Sequence, residues 1–200
     1  MENNEIKTDN SITIEFLLKS SFKIFLDNIV VCIANTIIAF LSTVILLFTV
    51  VGIIALPAVW GGYIESMIRL STSQKVEIGD FFKAGFNRWS TLWAGYMATC
   101  FGIAIGYLFF IIPGIYLMIR WCFTIQIIMD ENLDAMTAMT KSGKMTSNIM
   151  WEVLVVLIVC IIIKGIGAII PFLPLVTTPL STIIAAKYYS LNLDTKNYNI

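Results

Sequence analysis

Residues 111–132 read IIPGIYLMIRWCFTIQIIMDEN, an almost entirely apolar run with Arg120 near its middle. The composition of the chain decides whether such a run is a buried helix of a soluble protein or a membrane span. Hydrophobic residues make up 58% of the 200 residues and charged residues only 13%. These values lie well outside the composition of average soluble domains. The sequence therefore predicts an integral membrane protein.

Six apolar stretches, of which this run supplies the fourth, are long enough to cross or nearly cross a bilayer. A bilayer core needs ~20 helical residues, and a shorter stretch can adapt by local thinning. Pro113 and Pro171 lie between the members of the second and third pairs, and Pro57, near the start of the second stretch, is assigned to the joint of the first pair, because proline breaks a helix. We predict an all-α polytopic bundle of six transmembrane helices in three tight hairpins. The predicted spans are residues 29–50, 53–70, 92–112, 115–129, 151–170 and 173–191.

The whole chain, residues 1–200, is predicted to be a single integral membrane domain with flexible tails at 1–10 and 193–200. Glu2, Glu5 and Asp9 replace the basic start of a signal peptide, so we expect the first span to be retained. Every lysine and arginine except Arg120 and Lys164 lies in the termini, the two longer connections or the adjoining helix ends. The positive-inside rule then predicts a multi-pass plasma membrane protein with both termini cytoplasmic.

Short amphipathic helices are predicted on the cytoplasmic side, one before each hairpin. In the first, Glu15, Lys19, Lys23 and Asp27 recur at four-residue spacing, so we expect residues 17–26 to lie flat at the headgroups. Residues 77–89 and 134–148 are the second and third; in the third, Met136 and Met139 are expected to face lipid. The even spacing of the tip prolines fits either a threefold repeat or the rough regularity of any hairpin protein.

Three charged residues lie within the predicted spans away from the helix ends: Glu65, Arg120 and Lys164. Counted from its tip proline, each lies about 10–12 Å along its helix at 1.5 Å per residue. Charges at such depth are costly and usually face the bundle interior, so we predict a cluster of the three. One interpretation is a site for an anionic headgroup or solute. The other is structural, with Glu65 neutralising one cation while the second extends to the interface or bonds free carbonyls.

Several chemistries have no support in the sequence. The chain has no histidine, and its four cysteines lack CxxC spacing, so we predict no catalytic residues, no metal site and no cofactor. Zero net charge gives no nucleic-acid footprint. Membrane lipids are the expected partners. A small-residue stripe in the third span is expected to pack against another helix of the monomer, or alternatively in a homo-oligomer or against a partner membrane protein; its members are Ala94, Ala98, Gly102 and Gly106.

A family resemblance rests on residues 111–146. Its markers are Ile112-Pro113-Gly114-Ile115-Tyr116, Arg120, Asp130-Glu131-Asn132, Ala138 and Ser142. With these markers the chain resembles a broad group of bacterial multi-helix membrane proteins of unknown function, which are similar to the membrane domain of glycerophosphodiester phosphodiesterase. The resemblance implies a membrane bundle with an arginine after its IPG tip. The catalytic barrel of that enzyme has no counterpart in these residues, so we expect no hydrolase activity.

Two classes of function follow from this sequence. The first is a non-enzymatic membrane protein that handles or senses lipid or a small solute, including a role as an immunity or resistance factor. The second is an accessory or scaffold subunit whose amphipathic helices dock a partner in a membrane complex. Ordered lipid or a cavity at the charged residues would favour the first class, and a co-extracted partner protein would favour the second.

Overall fold

The computed structural model describes residues 14–169 and 172–196, and every regular element in these ranges is an α-helix. Residues 1–13, 170–171 and 197–200 lie outside the described part, as does the predicted tail at 1–10. The helices are α1 (Ile14–Asp27), α2 (Ile29–Leu47), α3 (Val50–Ser71), α4 (Asp80–Asn87), α5 (Trp89–Phe109), α6 (Ile111–Arg120), α7 (Thr124–Glu131), α8 (Ala135–Thr146), α9 (Met150–Ile169) and α10 (Pro174–Lys196).

The first hairpin turns at Phe48-Thr49, and the predicted tip at Pro57 is wrong. Thr49 is the N-cap of α3, because its Oγ1 accepts a hydrogen bond of 3.0 Å from the backbone N–H of Gly52. Pro57 lies inside α3 instead. The indole N–H of Trp89 donates to the carbonyl of Ile54, three residues before the proline, at 3.0 Å. The helix α3 therefore continues through Pro57 and does not end there.

The second hairpin joins α5 to α6 through Phe110 alone. Gly106 approaches the backbone of Gly114 so closely that an added Cβ would lie 3.0 Å from its Cα, and Gly102 packs under the ring of Trp121. The small-residue stripe of α5 is therefore used inside the monomer, which confirms the first of the predicted uses at these two positions. Pro171, the predicted tip of the third hairpin, lies outside the described residues.

The predicted fourth span is divided in two by a break after Arg120. α6 ends there, a turn covers 121–123, and α7 continues to Glu131, after which Asn132 ends the helix in the left-handed conformation with a φ of 57°. Asp134 is the N-cap of α8, and its carboxylate accepts a 3.0 Å hydrogen bond from the N–H of Thr137. Hydrogen bonding by the side chain and then the backbone N–H of Thr137 holds the pKa of the Asp134 carboxyl below its usual value. Residues 132–134 thus form the turn between the end of α7 and the start of α8.

Four segments of the described chain are long and apolar enough to cross a membrane: Ile29–Leu47, Trp89–Phe109, Ile111–Glu131 and Met150–Ile169. They correspond to four of the six predicted spans. The other two predicted spans, residues 53–70 and 173–191, fall in α3 and α10, which have 22 and 23 residues but are not among the four.

The short helices form where the amphipathic patterns predicted them. Each of them buries part of its apolar face against the protein. On α1 the charged stripe is exposed and Leu17 and Phe25 are buried, so this helix packs on the protein while its polar face remains exposed. The α4 helix packs tightly on α3 with Phe81 buried. On α8 Met136 is exposed, whereas Met139 is buried against the bundle, contrary to its predicted lipid-facing position. Apolar side chains that suit lipid suit a protein interior equally well.

The α3–α4 crossing brings two backbones into direct contact. A Cβ added to Gly62 would lie 1.9 Å from the carbonyl oxygen of Phe81, and one added to Gly85 would lie 1.9 Å from that of Ala58. The rings of Phe81 and Tyr63 then meet edge to face, with centroids 6.5 Å apart. This crossing holds α4 against the middle of α3.

Candidate functional site

A cavity of about 600 Å³ lies at the centre of the bundle. Its walls come from α3, α5, the α6–α7 junction with α7, α9 and α10. Ligand pockets commonly enclose ~300–1,000 Å³ and have mostly apolar walls with a few polar groups. The lining residues are Leu56, Pro57, Trp60, Tyr63, Ile64, Tyr96, Met97, Cys100, Cys122, Phe123, Gln126, Leu157, Cys160, Lys164, Thr178, Ser181, Thr182 and Ala185.

Some polar groups of the lining already have partners in the protein. The hydroxyl of Tyr63 shares a 2.9 Å hydrogen bond with Thr36 of α2. On α10, Ser181 and Thr182 both donate to the carbonyl of Thr178 at 2.9 Å. These groups are satisfied within the fold, so they shape the wall and contribute little free hydrogen-bonding capacity.

Five other lining groups have no hydrogen-bond or ion-pair partner among the residues that the structure describes: the ammonium of Lys164, the amide of Gln126, the hydroxyls of Tyr96 and Thr178, and the indole N–H of Trp60. Gln126 is only 8% exposed. Its amide borders the open space of the cavity and is not fully enclosed by protein, so an occupant of the cavity can bond to it. A cation, an amide and a hydroxyl at the edge of one apolar space can together bind an anionic group and further oxygen atoms.

The position of Gln126 is set by contacts at both ends of α7. At its start, the N–H of Phe123 donates to Oγ of Ser142 at 3.3 Å, and the same hydroxyl donates to the carbonyl of Arg120 at 2.7 Å. Near its end, the guanidinium of Arg88 donates to the carbonyls of Ile128 and Met129. These bonds satisfy backbone groups left free by the break and by the helix end, and they hold α7 rigidly against the cavity.

The structure separates the three predicted site residues. Lys164 lines the cavity. Arg120 does not, because its guanidinium donates to the hydroxyl of Tyr116 at 2.6 Å and lies against Gly143 of α8. Glu65 does not line it either and forms an ion pair with Arg69, one turn further along α3.

The predicted ion pair between Glu65 and Arg120 is therefore corrected. The depth assigned to Glu65 was counted from Pro57, whereas the hairpin turns at Phe48-Thr49. Counted from that turn, Glu65 lies about 24 Å along α3, near the opposite end of the helix. Its shared depth with Arg120 and Lys164 is lost, and so is the physical reason for grouping the three. The hypothesis of an anion site remains a prediction for Lys164.

Three residues important here were missed in the sequence. Arg69 had a clear signal, since it follows Glu65 at the four-residue spacing of helix ion pairs. Gln126 also had one, as a polar side chain inside an apolar run. Tyr96 gave no signal, because a tyrosine in a predicted span is ordinarily an interfacial anchor.

No metal centre is formed by the described residues, which contain no group of three or more histidine, cysteine, aspartate or glutamate side chains placed to hold an ion. The cysteines are all free thiols. Cys100, Cys122 and Cys160 line the cavity, and the Sγ of Cys160 donates to the carbonyl of Ser181 at 3.4 Å. These three side chains give the cavity wall small, weakly polar patches.

Part of this chain matches a known protein family. Residues 92–198 match the model of a family described as the membrane domain of glycerophosphoryl diester phosphodiesterase, and this range is just over half of the chain. The chain belongs to this family. Neither the curated proteins nor the solved structures contain a match.

The range that matches the glycerophosphodiesterase membrane-domain family runs from α5 to the end of the described chain. It contains Tyr96, Gln126, Lys164 and Thr178, four of the five lining residues whose side chains have no partner in the described chain. Helices α1–α4 lie outside it, so the α3 wall of the cavity comes from the part of this chain that the family model does not cover. The family is a membrane domain by description, and it assigns no activity to the cavity.

Proposed function

We propose that this protein is a non-catalytic, six-span integral membrane protein that binds a lipid or small solute carrying an anionic group in its central cavity. The single observation that carries the proposal is the set of unpartnered polar groups, Lys164 and Gln126 above all, on the wall of an otherwise apolar space. Intramembrane ionisable residues mark ligand sites by default, because an unpaired charge there is expensive to keep. A bound anion offsets this cost.

Neutralising Lys164 tests the proposal directly. Lys164→Gln should lower the amount of anionic lipid or solute that co-purifies with the protein after mild detergent extraction by about tenfold or more, the effect of losing one charge-assisted hydrogen bond. Quantitative mass spectrometry of the extracted ligands measures it. Because Lys164 is exposed at the cavity edge, the variant should unfold at the same temperature as the parent.

Lys164→Arg is the matched control, since it keeps the positive charge and should retain most of the ligand. Equal retention of every anionic species by the parent and by Lys164→Gln would contradict the proposal. The same result with a lowered unfolding temperature would assign Lys164 a structural role instead.

The proposed topology places α3 and α10 as the second and sixth spans of a plasma membrane protein, with both termini in the cytoplasm. It is supported by their lengths and by the distribution of lysine and arginine. The turn at Phe48-Thr49 is then on the outer face, and the connection around Lys75 is inside. In this arrangement the exposed charged stripe of α1 lies at the cytoplasmic headgroups.

Cysteine labelling gives a clear expectation for this topology. In a background with the four native cysteines replaced by alanine, Phe48→Cys should react with an impermeant maleimide in intact cells. Lys75→Cys should react only after the cells are permeabilised. Both positions are exposed, so unequal labelling reports sidedness and not burial. Labelling of Lys75→Cys in intact cells would reverse the orientation.

A second function, as an accessory or scaffold subunit, is favoured by one surface. The outer face of α8 exposes Met136 beside Lys141 and Lys144, around a shallow depression. Lys141 is paired with Glu131, so the exposed methionine is the feature that suits docking, and it favours a partner with a small apolar surface. A stoichiometric protein that co-purifies with the parent but not with Met136→Asp would support this role. A monomer of unchanged mass in both would exclude it.

A further inference from the structure

The exposed residues of the cavity lining lie on α5 and α9, and we take them to mark its opening. Cys100 of α5 and Lys164 of α9 both line it, and both are exposed. These helices lie in two of the segments that are long and apolar enough to cross a membrane, Trp89–Phe109 and Met150–Ile169. The opening is therefore located along the spans and not at their ends.

The surface around this opening is apolar. Phe101, next to Cys100, is 66% exposed, and Ile161, one turn before Lys164, is 60% exposed. Side chains of this kind on the outer face of a spanning helix contact lipid. A cavity bordered in this way exchanges its contents with the bilayer more readily than with water, since an ion from water would first have to cross apolar surface.

The interior defines the shape of the occupant. Lys164 lies at the exposed edge, whereas the buried part of the lining is mainly apolar, with Phe123 and Leu157 among its members. Gln126, nine-tenths buried and without a partner in the described chain, adds one polar contact inside. An amphiphile suits this arrangement of polar and apolar groups. Its anionic head would lie at Lys164, one of its oxygen atoms would be within reach of the Gln126 amide, and its apolar chain would lie along the wall.

The volume limits the size of this amphiphile. A space of about 600 Å³ is of the size that holds drug-sized ligands. One hydrocarbon chain with a small head is of that size, whereas a phospholipid with two long chains is considerably larger. We infer that the ligand is a single-chain anionic lipid, of the fatty acid or lysophospholipid class, which enters from the bilayer between α5 and α9. This inference rests on the proposed function and adds the ligand class and its route.

Tryptophan quenching by a brominated fatty acid tests the inference. Trp60 lines the cavity, so a variant that keeps only this tryptophan, with the other four changed to phenylalanine, reports on the occupant. The protein is reconstituted in phosphatidylcholine vesicles and titrated with dibrominated stearate. We expect saturable quenching whose half-maximal concentration rises about tenfold with Lys164→Gln and much less with Lys164→Arg.

A variant that keeps only Trp151 is the matched control. This side chain is 80% exposed at the start of α9 and does not line the cavity. Its quenching should follow the bulk concentration of brominated lipid without saturation and should not depend on Lys164. Saturable, Lys164-dependent quenching of Trp151 would show that the fatty acid binds outside the cavity, and this would overturn the inference.

Competition by water-soluble anions separates failure of the inference from failure of the proposed function. If butyrate or inorganic phosphate protects Trp60 from quenching as effectively as unbrominated stearate does, the cavity binds a free anion from water. That result overturns the lipid assignment and leaves the anion site intact. If neither class binds in a Lys164-dependent manner, both the inference and the proposed function are wrong.

Discussion

Replacing Gly62 with alanine is expected to destabilise the protein by about 3 kcal/mol or more, at or above the upper end of the usual cost of overpacking. The new Cβ would lie 1.9 Å from the carbonyl oxygen of Phe81 and 3.1 Å from the backbone nitrogen of Gly85. Both belong to α4, so no side-chain rotation relieves the overlap. The helices must separate, and Phe81 then loses its buried position against Tyr63. Thermal unfolding in detergent measures the loss.

Gly165→Ala provides the matched control within a candidate span. An added Cβ at Gly165 has no atom within 4 Å, so the substitution should be neutral or stabilise α9 by up to ~1 kcal/mol through helix propensity. Gly85→Ala should resemble Gly62→Ala, and the double variant should lose less than the sum, because both changes break one crossing. An unchanged unfolding temperature for Gly62→Ala would show that α4 does not pack here.

The second large effect is expected at Arg88. Arg88→Ala removes the guanidinium from the carbonyls of Ile128 and Met129, which are then left at the end of a buried helix. Hydrogen bonds from charged groups contribute ~1.5–3 kcal/mol, so we expect a loss of about 2–3 kcal/mol. Since α7 carries Gln126, ligand retention should fall together with stability. Unfolding and co-purified ligand are measured on the same preparation.

Two neighbouring substitutions control for charge and position. Arg88→Lys keeps a cation near the negative end of α7 and should recover part of the loss. Lys83→Ala removes an exposed cation of α4 that has no bond to any described residue, so its effect should be negligible. If Lys83→Ala destabilised the protein as much as Arg88→Ala, net charge and not the bonds to α7 would be responsible.

The sequence predicted the helical membrane architecture because long apolar runs and charged helix faces are local signals. It placed the turn at Pro113 within a few residues but misplaced the first one. A proline can either end a helix or lie within one, and α3 continues through Pro57, near a hydrogen bond from Trp89 far along the chain that the local pattern does not reveal. The break after Arg120 was equally hidden, since Ser142 of α8 satisfies the carbonyl that the break exposes.

The site was predictable only in part. Lys164 was identified because a charge inside an apolar run is a local anomaly. Its neighbours could not be assigned, since the rotation of each helix about its axis decides whether a side chain faces lipid, protein or cavity. That rotation is set by contacts such as the one between Gly167 and the side chain of Thr177, which brings α9 and α10 together. Such pairings between distant glycines and side chains leave no periodic trace in one sequence.

The uncharged turns bear on how the chain enters a bilayer during synthesis. Phe48-Thr49 and Phe110 connect their helices with one or two residues and no ionisable group. Carrying a central arginine or lysine across hydrocarbon costs at least ~2.5 kcal/mol, whereas these turns carry no such cost. Each helix pair can therefore partition as a preformed unit, with its turn passing first. In the proposed topology, insertion of these two pairs needs no aqueous passage for a polar loop, and the basic residues on the cytoplasmic side would set their orientation.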